Sequence, residues 1–105
     1  MKYELTDGGW LSTHKVGGIA ATFDELVETF GYPNLTNDKT PPGDKTWWEW
    51  CVEFYDDVED EYTIATVYDW KERSPDDARR GEYHWQVGGE NIKALWAVMD
   101  ALEKG

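Results

Sequence analysis

Residues 47–70 constrain the fold of this chain more than any other stretch. "WWEWCVEFY", 47–55, puts Trp48, Trp50, Val52 and Phe54 on one side and Glu49, Cys51 and Glu53 on the other. "YTIATVYDW", 62–70, alternates as well. Successive strand side chains point to opposite faces, so a period of two marks a half-buried strand. Between the runs lies "DDVEDE", 56–61, with five acids in six residues. That composition predicts the exposed tip of a hairpin. A third alternating run, "EYHWQV" at 82–87, predicts the last strand of a meander, broken by Gly88-Gly89.

Two helices flank these strands. Thr22 and Glu25 form a capping-box pattern, and Phe23, Leu26, Val27 and Phe30 follow at helical spacing. Gly31 and Pro33 end that helix. At the C-terminus, Ile92, Leu95, Trp96, Met99 and Leu102 read as one apolar stripe. Gly17-Gly18 reads as a flexible joint before the first helix, and 33–46 as a long loop. "KYELTDGGWLSTHK" reads as an N-terminal hairpin turning at Asp7-Gly8. The expected fold is α+β: a three-stranded antiparallel meander, two helices on one face, and the extra hairpin.

At 105 residues the chain fits one domain. Sixteen aromatics, seven of them Trp, exclude a disordered chain despite the high charge. No apolar run reaches membrane-spanning length, and the N-terminus has no signal-peptide character. The single Cys51 permits no internal disulfide and suits a reducing cytoplasm. A net charge of −12 opposes direct binding of nucleic acid or anionic membrane. It serves solubility, or an acidic face that meets a basic partner.

The second strand carries its large residues (Tyr62, Ile64, Tyr68, Trp70) on one register and its smaller ones (Thr63, Ala65, Val67) on the other. Whichever register faces the helices, the far face of the sheet retains aromatics. Such a patch marks a ligand groove, a protein interface or a homo-oligomer contact, unless the N-terminal hairpin or the long loop covers it.

Four of the ten cations, Lys71, Arg73, Arg79 and Arg80, fall within 71–80, giving that window +1 against −13 for the rest. Pairing with Glu72, Asp76 and Asp77 is the plain explanation. The alternative is an anion grip beside Trp70, Tyr83 and Trp85, with bases stacking on the rings and phosphates meeting the cations. His14, His84 and Cys51 show no metal-ligand spacing, and no nucleophile or phosphate-loop motif is present. Neither a cofactor nor a catalytic role is expected.

"FDELVETFGYPN", "DKTWWEWCVEF", "TIATVYDWKE" and "YHWQVGGEN" together resemble a group of small tailed-bacteriophage proteins, over roughly residues 22–92. The shared features are Phe-Gly-x-Pro, Lys-Thr before a Trp-bearing strand, Tyr-Asp-Trp-Lys, and Trp-x-x-Gly-Gly. The resemblance implies a phage accessory protein in the cytoplasm of an infected bacterium. Two counter-defence routes fit. In the first, the protein sequesters a small anionic nucleotide signal at Lys45, Trp50, Tyr68, Asp69, Trp70, Lys71, Arg73, Arg79, Arg80, His84 and Trp85. In the second, it offers acidic groups and aromatic anchors to a basic host defence protein, as a nucleic-acid mimic would.

Overall fold

The computed structural model describes residues 2–6, 14–36, 47–70, 74 and 76–104. Its strands are β1 (Lys2–Leu5), β2 (His14–Ala21), β3 (Leu35–Thr36), β4 (Trp48–Asp56), β5 (Glu61–Tyr68) and β6 (Tyr83–Gly89). The helices are α1 (Phe23–Phe30) and α2 (Lys93–Lys104), and a short 3-10 helix spans Asp77–Arg79. The sheet runs β1-β4-β5-β6-β2, with β3 also on β4, and every pairing is antiparallel. The fold is α+β, and the β4-β5-β6 meander is its centre.

The expected N-terminal hairpin does not form. β1 pairs with β4 and β2 pairs with β6, so the two strands lie on opposite edges of the sheet. The proposed Asp7-Gly8 turn lies outside the described residues. The loop reading of 33–46 also changes at its start, because Leu35 and Thr36 pair with Glu49 and Trp48.

Thr22 caps α1 as its sequence requires. Its hydroxyl accepts the Glu25 amide at 3.0 Å, and Glu25 returns a bond to the Thr22 amide at 2.8 Å. Phe23, Leu26 and Phe30 then enter the core beside Trp50, Phe54 and Trp85. Gly31 ends the helix at φ 91, a left-handed conformation that glycine adopts freely.

α2 departs from the expected stripe. Of the five expected stripe residues, Leu95 and Leu102 are half-buried against the core, while Ile92, Trp96 and Met99 are exposed; the fully buried side chains are Ala94, Ala97, Val98 and Ala101. The cause lies in the sheet. A Cβ on Gly89 would overlap that of Ala94, and one on Gly17 would strike Leu95. These glycines are strand residues, so neither Gly17-Gly18 nor Gly88-Gly89 interrupts a strand. Their missing side chains let α2 sit close against the sheet, with Ala94 over Gly89 of β6 and Leu95 over Gly17 of β2, and this rotation leaves Ile92, Trp96 and Met99 outward.

The helix-facing register contains Trp50, Val52 and Phe54 of β4, Ala65 and Val67 of β5, and Trp85 and Val87 of β6, all buried. β5 therefore turns its smaller register toward the helices, and Tyr62, Ile64 and Tyr68 toward the far face. No helix among the described residues is long and apolar enough to cross a membrane.

Candidate functional site

The β4–β5 hairpin has a root, where β5 ends beside the start of β4, and a tip at 57–60. At the root, Asp69 is fully buried. Its Oδ1 accepts the backbone amides of Trp47 at 2.7 Å and Trp48 at 3.0 Å. The Asp69 amide donates to the Trp48 carbonyl at 3.3 Å. The carboxylate thus fastens two chain segments together. Glu49 is itself largely buried and feels the Asp69 charge, and the two effects raise its pKa to about 6. Burial, then the Glu49 charge, pushes the Tyr68 phenol up as well.

Three of the expected ligand residues are structural. Trp50 and Trp85 are wholly buried, and their indole N–H groups donate to the carbonyls of Gly31 at 2.8 Å and Ala21 at 3.0 Å. Asp69 is equally inaccessible. None of the three offers a surface on which a base could stack, because the core uses both indoles and the strand start uses the carboxylate.

The remaining members are divided by the sheet. On the helix side, the Arg79 guanidinium lies 4.8 Å from the Phe23 ring centroid and 5.6 Å from that of Trp48. Tyr32, well exposed, meets both rings edge-on at 5.9 and 6.1 Å. Among the described residues no carboxylate pairs with Arg79, whereas Arg80 pairs with Asp77 at 3.3 Å. Tyr68 and the exposed His84 belong to the far face, and Trp70 packs edge-on against Tyr68 at 6.1 Å. The Trp70 amide donates to the Tyr83 hydroxyl at 3.3 Å. Lys45, Lys71 and Arg73 lie outside the described residues.

The tip collects a different set. Asp56 Oδ1 accepts the amides of Val58 at 2.9 Å and Glu59 at 3.3 Å, closing the turn, and Asp60 occupies φ 53. Such turns suit Asp, whose short side chain bonds its own backbone and tolerates left-handed φ. On the helix side a groove of about 520 Å³ runs between the tip and α2, lined by Asp56, Glu59, Glu61, Thr63, Lys93, Trp96, Ala97 and Asp100. Four of those residues are acids. Lys93 holds Glu61 at 3.3 Å, and Trp96 is 59% exposed.

Trp96 and Met99 escaped the sequence reading as surface residues because the largest side chains were assigned to the core. A signal was available: Ala94, Ala97, Val98 and Ala101 also recur at i, i+3, i+4 and i+7, opposite a chain rich in paired glycines.

Among the described residues no three His, Cys, Asp or Glu side chains gather as metal ligands would. Comparison with protein-family models, with curated proteins and with solved structures found no match.

Proposed function

We propose that this is a small binding protein that docks a basic protein surface through the acidic groove between the hairpin tip and α2. The observation that carries the reading is Trp96, 59% exposed in a groove it shares with Asp56, Glu59, Glu61 and Asp100. A large aromatic ringed by carboxylates matches the usual energetics of recognition. The aromatic supplies a buried anchor, and the charges supply steering and partner choice. Ile92 and Met99 extend the apolar stripe along α2. A second copy of the chain is a poor occupant, since it would set one acidic rim against another at −12 per molecule. The phage-like motifs suggest the setting: a counter-defence protein that occupies the nucleic-acid-binding surface of a host protein.

The test is a pull-down from bacterial lysate at low salt, using the wild type, Trp96→Ala and the triple variant Asp56→Asn/Glu59→Gln/Asp100→Asn. The expected catch is a basic, nucleic-acid-binding protein, released by both variants and by about 0.5 M salt, where charge interactions are screened within a few ångströms. A catch that both variants retain would refute the reading.

Nucleotide sequestration is the second reading, favoured by Arg79. An arginine whose guanidinium sits over Phe23 and Trp48, with exposed Tyr32 alongside, suits a planar or phosphorylated anion. Incubation with linear and cyclic nucleotides, re-isolation, heating and mass spectrometry decides it. An intact nucleotide recovered from wild type but not from Arg79→Glu would put this reading first.

A further inference from the structure

The far face of the sheet carries a second groove at the same end of the hairpin. It encloses about 550 Å³ and is lined by Lys2, Tyr3, Glu4, Glu53, Tyr55 and Tyr62. Pairing of β1 with β4 sets Glu4 directly opposite Glu53. Like charges in that position repel and weaken the pairing. Tyr55 and Tyr62 are also direct partners, and their ring centroids stand 4.8 Å apart. The Tyr55 hydroxyl donates to Asp60 Oδ1 at 3.0 Å, which steadies that ring against the turn. Tyr62 is 66% exposed, so its ring remains available.

Ligand classes separate by what each would meet here. An anion would face two carboxylates. A neutral apolar group would stack on the rings but would strip water from the acids. A cation gains twice, from the carboxylates and from the negative ring faces. It also relieves the repulsion between Glu4 and Glu53. We propose that this groove receives a single basic side chain, a guanidinium or an ammonium, from the protein that docks on the Trp96 side. The inference rests on that docking reading and makes the hairpin end a two-sided clamp. Lys2 also lines the groove, and its charge opposes a second cation there.

The experiment uses isotope-labelled full chain and capped Gly-Arg-Gly, with capped Gly-Gln-Gly as control, following the Tyr55 and Tyr62 ring signals by NMR. The arginine peptide is expected to give saturable shifts at millimolar concentration, and the glutamine peptide none. Glu4→Gln/Glu53→Gln should weaken binding roughly five-fold, as exposed cation–ring and ion-pair contacts of modest strength predict. Lys2→Ala should tighten it about two-fold by removing a like charge. Asp56→Asn/Glu59→Gln/Asp100→Asn should leave it within about two-fold, because those acids line the other groove. Absence of saturable shifts, or equal weakening by the two acid-neutralised variants, overturns the proposal. No partner is needed in this assay, so its failure is separable from failure of the pull-down. Asp56→Asn keeps the side-chain oxygen that accepts the Val58 and Glu59 amides, and the Glu4/Glu53 variant removes a repulsion, so loss of fold does not confound the result.

Discussion

The root and the tip of the β4–β5 hairpin are built from the same residue types and differ in almost every property. Each joins acids to aromatics within a few residues, "YDW" at one end and "FYDDVEDEY" at the other. At the root the acid is sealed from water and bonded to two backbone amides, and Trp50 fills the core, while Trp70 alone stays exposed. At the tip the acids and Tyr62 face solvent, as does Trp96 across the groove. A carboxylate beside an aromatic is a recognition element only where a partner can reach it. Where burial has closed access, the same pair is scaffolding.

The contrast breaks most visibly at Asp69. Asp69→Ala strands two part-buried amides and is expected to cost about 3 kcal/mol, the upper end for hydrogen bonds to a charged group. Urea denaturation measures it. The triple tip variant Asp56→Asn/Glu59→Gln/Asp100→Asn should stay within about 0.5 kcal/mol of wild type. Equal costs at the two ends would erase the distinction.

A second pair of variants tests α2. Gly89→Ala drives a methyl into Ala94 and should cost about 2 kcal/mol, by thermal or urea unfolding. Trp96→Ala removes a much larger group from the exposed stripe and should change stability by less than about 0.5 kcal/mol. In the docking assay the order reverses, with Trp96→Ala weakening binding roughly thirty-fold, as for an interface anchor.

The smallest expected effect is pH-dependent and lies at the root. The folded state raises Glu49 from 4.5 to about 6 and so holds its proton more tightly than the unfolded chain does. Above pH 6 the residue is ionised in both states and the fold bears the full burial penalty. As pH falls through this range the folded form protonates first and the penalty shrinks, vanishing once the pH lies well below the unfolded value. Glu49→Gln should therefore stabilise the protein by about 1 kcal/mol at pH 7.5, a gain that fades to nothing by about pH 3.5. Paired urea titrations at several pH values isolate this group, since all other carboxylates are common to both proteins. A gain that persists undiminished at about pH 3.5 would assign the effect to packing.

Much of the fold is legible in local sequence, and much less of the candidate site. The capping box of Thr22 and Glu25, the alternation along β4, β5 and β6, and the acid-rich turn at 57–60 all depend on neighbours a few residues away. Those features are set by backbone geometry and short-range hydrogen bonds, so sequence by itself determines them. Three other matters belong to the tertiary structure. β1 and β2 separate to opposite edges, because each pairs with a strand far along the chain rather than with the other. Ile92, Trp96 and Met99 turn to solvent, because α2 seats Ala94 against Gly89 and Leu95 against Gly17. Trp50, Trp85 and Asp69 are buried from solvent, and Trp96 is exposed to it. A residue's type states what chemistry it can do, and packing between distant segments decides whether that chemistry meets water, a partner or the core.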